Sequence, residues 1–340
     1  MTRRTWNLLA AVLVGLGALS VAAAGQPGVI KIKIGSQAPD RSPWGKALNE
    51  VAAEWYKLSN GQIRVEIYGG AIAGNELDQI RKMRLNTLQG VVISNAGMNN
   101  IESSPLVLST PFLFTTEEEF EYVFDKMKPS FEKRIAAKGD KVLLWTLAGW
   151  IHFFAKDKVI YPADLMKHKI AISGSSPEME QAWRKMGFSV VPMDAKDLMV
   201  ALQTKMVTAT FLPTLIAGSG QYFALMPHML SLKLSPLIGG FLLSDRAWAS
   251  IPETYRGPML EAVMRISRRL YDETGRLEAD ALKAMKDNGL IIDEAPADSL
   301  DKWRKFSAEA LSGLIGKAFP REMYDQVLAY LDEFRKKGES

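Results

Sequence analysis

The chain has 340 residues, 42 Lys+Arg against 38 Asp+Glu for a net charge of +4, and no cysteine. That length suggests about two domains, and 47% hydrophobic with 24% charged residues is the balance of a globular protein, not of a disordered chain. Without cysteine there are no disulfides, thiolate nucleophiles, cysteine-held metal clusters or lipidated-cysteine anchor, and so small a charge without a Lys/Arg cluster gives no case for nucleic acid.

The N-terminus reads as a secretory signal peptide over 1–24. Arg3 and Arg4 form a positive start, Trp6 to Val21 is almost wholly apolar, and Ala22-Ala23-Ala24 supplies the small residues of a cleavage site. Cleavage after Ala24 leaves 340 − 24 = 316 residues. No later segment reaches the roughly 18 uninterrupted apolar residues of a membrane span, so the expected product is soluble and exported.

Val29 to Gly35 alternates apolar and polar residues and predicts a strand. Ser42-Pro43 then opens a helix, with Ser as N-cap and Pro in the first turn. Trp44, Ala47, Leu48, Val51, Ala52 and Trp55 recur at helical spacing up to Ser59-Asn60-Gly61. Gln62 to Tyr68 alternates again, Gly69-Gly70 breaks it, Glu76 to Arg84 reads as a helix, and Gly90 to Ser94 as a short buried strand. Thr115-Thr116 before Glu117-Glu118-Glu119 marks a capped helix with an acidic first turn. Further strands are expected over Lys141–Thr146, Trp150–Lys156, Lys169–Ser173, Ser189–Pro192 and Val207–Leu212. Between them come helices from Ser176-Pro177 to Met186 and from Asp194 to Gln203. The β-α-β order implies two mainly parallel α/β modules. Beyond Pro258 the chain reads as helical: one long run over 259–288, then Asp301–Leu314 and Arg321–Lys337.

No catalytic motif stands out. His152, His168 and His228 are the only histidines and lack metal-ligand spacing; there is no nucleophile elbow, Walker loop or dinucleotide fingerprint in the mature chain. No enzyme activity, cofactor or metal is expected, and His152 reads as a satisfied histidine.

Taken in order, several segments resemble the solute-binding proteins of TRAP (tripartite ATP-independent periplasmic) transporters, the DctP-like family. They are Ser42-Pro43-Trp44-Gly45-Lys46, Gly69-Gly70-Ala71 with Asn75-Glu76-Leu77, Thr110-Pro111-Phe112-Leu113-Phe114 and Gly149-Trp150-Ile151-His152-Phe153. Pro162-Ala163-Asp164-Leu165 with Lys169-Ile170, Ala201-Leu202-Gln203 and Ser244-Asp245-Arg246-Ala247-Trp248 follow. The resemblance implies a type-II periplasmic binding fold: two α/β lobes joined by crossing strands, a ligand cleft between them, and a long helix bracing both. The expected lobes are 25–147 plus about 236–270, and 148–235 plus about 271–340. It also implies delivery of one captured solute to the membrane subunits of a permease.

This sequence departs from the family where the ligand is held. Where the family places a carboxylate-gripping arginine after Lys-Ile, this chain has Ala171, and where another arginine is common it has Ile151. Phe211 and Leu212 stand where polar contacts are usual. A small carboxylate desolvated there without a partner would cost several kcal/mol, so an apolar or amphipathic ligand is expected. Its candidate contacts are Trp44, Asn95, Met98, Trp150, Ile151, Phe153, Ala171, Ser173, Phe211 and Leu212. By strand alternation Ile151 and Phe153 share one face and Phe154 the other. Rival arrangements are a lipid-shuttling or sensory module without a permease, handing cargo to a helical-repeat periplasmic partner, and an enzyme on the same scaffold.

Overall fold

The computed structural model describes residues 28–174 and 177–338. The expected signal segment and Ser176, the expected cap of the second Ser-Pro helix, lie outside them. The first module contains β1 (Ile30–Ser36), α1 (Pro43–Leu58), β2 (Ile63–Tyr68), α2 (Glu76–Arg84) and β3 (Gly90–Ser94), then α3 (Asn95–Met98) and α4 (Glu117–Ala136). The strand β4 (Asp140–Ala155) leads out of it. The second contains α5 (Pro162–Leu165), β5 (Lys169–Ser173), α6 (Pro177–Lys185), β6 (Ser189–Met193), α7 (Leu198–Gln203), β7 (Ala209–Pro213), α8 (Thr214–Ser219) and β8 (His228–Leu230). β9 (Ser235–Ser244) returns to the first module, followed by α9 (Asp245–Ser250), α10 (Glu253–Asp287), β10 (Ile291–Asp293), α11 (Ala297–Leu314) and α12 (Arg321–Gly338).

Local chemistry accounts for many of these boundaries. Ser42 Oγ accepts the Gly45 N–H at 3.1 Å with Pro43 opening α1, and Asn75 Oδ1 accepts the Asp78 N–H at 3.0 Å at the start of α2. Thr116 Oγ1 caps α4 through the Glu119 N–H, while Glu119 accepts the Thr115 N–H in return. Such caps are worth about 1 kcal/mol each.

The sheet runs β2-β1-β3-β9-β4-β7-β5-β6. β2, β1 and β3 are parallel, as are β7, β5 and β6. The two sets meet through β9 and β4, which are antiparallel to each other and to the strands flanking them. This is the two-lobed α/β architecture of type-II periplasmic binding proteins. The 16-residue β4 was expected as two strands, 141–146 and 150–156. It is one, pairing with β9 up to Ile151 and with β7 from Ile151 to Ala155. The break read in the sequence is a bulge between Leu147 and Trp150, where Gly149 has φ +107° and a Cβ would lie 2.2 Å from Glu278 Oε1. Only glycine fits there.

The helix α10 starts at Glu253 rather than Met259, carrying Pro258 inside it. The buried face Met259, Ala262, Val263 and Ile266 offsets the hydrogen bond that proline removes. Its 35 residues reach about 52 Å, packing on α1 in the first lobe and on α8 in the second. α11 packs on α6, and its Trp303 stacks on Phe153 with centroids 5.2 Å apart. α12 departs from the expected grouping of 271–340 with the second lobe. Its stripe Met323, Val327 and Leu331 docks on Phe120, Val123 and Met127 of α4, in the first-lobe core. An amphipathic stripe states that a helix must dock, not on which neighbour.

Candidate functional site

Because each lobe's strands are parallel, the loops after β1, β2 and β3 gather at one edge of the first lobe, and those after β5, β6 and β7 at one edge of the second. Ligands of α/β sheets collect at such edges. Among the described residues a hydrogen bond joins the two: Asn75 Nδ2, at the cap of α2, donates to Asp194 Oδ1 just beyond β6 at 3.2 Å. Lys196 Nζ lies 3.8 Å from the same carboxylate. This contact bridges the lips of the interlobe cleft. A single hydrogen bond contributes about 0.5–1.5 kcal/mol, so Asp194→Ala is expected to shift the ligand-free closed-to-open ratio about 2- to 10-fold toward open while sparing the α2 cap. The chain has no cysteine, so spin labels at Ile72→Cys and Val200→Cys, 74% and 61% exposed on opposite lobes, will report the distance by electron resonance. An unchanged distribution would mean that the contact does not hold the lobes together.

The first-lobe edge is polar under its surface. The buried Glu76 accepts the Ser94 N–H at 2.6 Å and the Ser94 hydroxyl at 2.9 Å. It is packed so closely under α3 that a Cβ at Gly97 would lie 2.5 Å from Oε2. Burial raises its carboxyl above the usual range, against the lowering effect of the Ser94 bonds. Gln79 is fully buried, donating to the Gly74 carbonyl at 2.9 Å while its Oε1 has no partner. Asn95 is buried, donating to Ser109 Oγ and accepting the Ala96 N–H.

A raised folded pKa means that Glu76 contributes fully to stability below its unfolded value near 4.5, and that this contribution is lost as pH rises through the folded value. Glu76→Gln keeps one of the two acceptors for Ser94 and removes the titration. Its stability relative to wild type should therefore be more favourable at pH 7 than at pH 4 by denaturant unfolding. A pH-independent difference would contradict the raised carboxyl.

The candidate contacts do not converge on one surface. Met98 is fully buried against Gly240, where a Cβ would lie 2.8 Å from its Cε. Phe153 is 1% exposed in the second-lobe core between Trp303 and Trp183, and Ile151 lies in the same cluster. Phe154 faces the opposite core, as alternation requires. Ala171 is in that opposite core too, 3% exposed. Trp150 packs edge-on to Phe120 at 6.3 Å, with Lys233 Nζ 4.8 Å from its ring centroid. Trp44 is half-buried and lines a cavity inside the first lobe, behind its strand-end edge. Asn95, Ser173, Phe211 and Leu212 sit at or beside strand ends, Ser173 exposed and the last two half-buried. Phe211 stacks on Trp183 at 5.5 Å and meets Phe153 edge-on at 6.2 Å. His152 is buried with Nδ1 3.1 Å from the Leu230 carbonyl, and burial lowers its pKa.

Sequence reasoning missed Glu76, Gln79 and Asp194. Asn75-Glu76 stood in the chain as a family-like segment, but nothing local pairs Asn75 with a residue 119 positions away.

Among the described residues, no helix is long and apolar enough to cross a membrane. The family model for bacterial extracellular solute-binding protein, family 7 (DctP), matches residues 34–315. A solute-binding protein of Verminephrobacter eiseniae is 23% identical over 304 residues, 87% of this chain and 88% of its own. The C4-dicarboxylate-binding periplasmic protein DctP of Rhodobacter capsulatus is 25% identical over 316 residues, 90% of this chain and 92% of its own. The crystal structure of the sugar acid binding protein DctPAm from Advenella mimigardefordensis in complex with galactonate shares the fold, with TM-score 0.82 at 20% identity, covering 90% of this chain and 99% of that one. With the family match added to two α/β lobes, crossing strands and a long bracing helix, the chain belongs to the family 7 extracellular solute-binding proteins of TRAP transporters, and is a solute-binding protein rather than an enzyme.

Proposed function

We propose that the protein is exported to the periplasm, captures one small molecule between its lobes and delivers it to the membrane subunits of a TRAP permease. Ligand contacts to both edges favour the closed form by their differential affinity. We further propose that this ligand is apolar or amphipathic rather than a small carboxylate. The observation that carries this is the lack of arginine at positions 151 and 171, where the family resemblance places it: Ile151 and Ala171 are packed into the second-lobe cores and offer a ligand no cation. Acidic groups stand at the strand ends instead, Glu76 under the first edge and Asp194 on the second. Desolvating a small carboxylate beside them costs several kcal/mol that no arginine at 151 or 171 offsets.

The test is a calorimetric panel on exported protein whose N-terminus has been sequenced, which is expected to begin near Gly25. Succinate, orotate and galactonate, the ligands of similar solved structures, are expected to show no micromolar binding. Native mass spectrometry is expected to show a co-purified adduct that organic solvent extracts. Micromolar binding of any of the three acids would overturn the ligand class, and full-length protein fractionating with membranes would overturn cleavage and export.

A further inference from the structure

In the first lobe, α1, α10 and the sheet line an apolar pocket of about 50 Å³ that opens partly to solvent. Ala47 of α1, Val92 of β3, Leu144 of β4, Phe241 of β9 and Ile266 of α10 line it, with Trp44 at the α1 first turn. A buried water needs only about 10–15 Å³ but two to four polar partners, and apolar cavities stay dry and take apolar guests. The space here is ample for a water, yet Thr146, Ser267 and the Trp44 indole are the polar groups on its lining. The Trp44 Nε1–H is itself buried and has no hydrogen-bond partner. Native proteins rarely leave such a donor unmet. α1 begins just beyond the loop that follows β1, so the Trp44 end of the cavity lies toward the cleft and its far end lies along α10.

We infer that this cavity is a binding site for the short alkyl end of a small molecule whose oxygen acceptor meets the Trp44 Nε1–H. The volume is several times the roughly 10–15 Å³ that a water needs on the same measure, which is room for a short apolar segment. The chemistry of the occupant rests on the amphipathic reading of the ligand, whereas the cavity as an apolar site does not.

Two measurements on the exported protein separate these. Crystals pressurised with xenon are expected to show xenon between α1 and α10 in the wild type and none in Ala47→Leu, whose added carbons fill the space. If Ala47→Leu lowers the unfolding temperature, Val92→Ile serves as the filling variant. Calorimetry with straight-chain 2-alkanones from butan-2-one to octan-2-one is expected to show about fourfold tighter binding per methylene until the cavity is full. That dependence should be lost in the filled variant, and Trp44→Phe should weaken each ketone several-fold. Absence of xenon from the wild type, or ordered water in its place, overturns the site. Xenon bound without any chain-length dependence overturns the occupant while leaving the cavity. Neither result depends on whether small acids bind in the cleft, which the separate panel decides.

Discussion

Phe211→Ala is expected to weaken ligand binding by roughly 5- to 15-fold while also lowering ligand-free stability by about 2 kcal/mol. Full burial of an aromatic ring is worth on the order of 2–3 kcal/mol, and the part left for closure, about 1–1.5 kcal/mol, sets the affinity range. The stability loss follows from the stack on Trp183 at 5.5 Å and 14° and the edge contact with Phe153. A fully buried Phe→Ala costs roughly 3–5 kcal/mol, and this ring is half-buried before any ligand arrives. The two effects are read on one variant, by denaturant unfolding without ligand and by titration with the co-purified molecule. Phe211→Leu should restore most of the stability and part of the affinity. A stability loss with unchanged affinity would make Phe211 a packing residue of the α6–β7 contact and place the ligand on the other side of the strand.

Arg84→Met is expected to cost about 3–5 kcal/mol at pH 7. The Arg84 guanidinium grips Asp140 through Nη1–Oδ1 at 2.9 Å and Nη2–Oδ2 at 2.6 Å, and Asp140 is fully buried at the start of β4. Removing one partner of such a pair strands a buried charge. Burial already holds the Asp140 carboxyl above the usual carboxylate range, with Arg84 acting against it. Without the guanidinium the carboxyl moves higher still. The variant can escape by protonation, so its deficit should shrink at pH 4. Arg84→Met with Asp140→Asn should recover much of the loss, because no charge is left to strand. A deficit that is equal at both pH values and uncorrected by the second change would show that Arg84 acts through its packing alone.

Much of the architecture was legible because local rules and tertiary structure agree in it. Ile32 and Ile34 are buried where alternation put them, and α2, β3 and β5 span the residues read from periodicity and breakers. β9 was not legible. Ser235 to Ser244 is a run of apolar residues interrupted by Gly239-Gly240, buried almost throughout, so it has no period of two to read. Its glycines look like a turn in the sequence. In the fold they admit the Ile93 carbonyl and the Met98 side chain, within 3.1 and 2.8 Å of where a Cβ would stand.

The amino-acid sequence by itself determined the class of this protein: two α/β modules, family-like segments in family order, and apolar residues at the two positions where arginines are usual. Those are properties of composition, spacing and single positions, which survive without coordinates. Tertiary structure alone decided which aromatics pack and which stand at an edge, since Phe153 and Phe211 read alike as apolar strand residues and differ only in what covers them. It also decided that Asn75 meets Asp194 and that Trp44 turns into a cavity behind the cleft. A contact between residues 119 positions apart is set by how two separately specified lobes lie against each other, and no local pattern in the chain records that geometry.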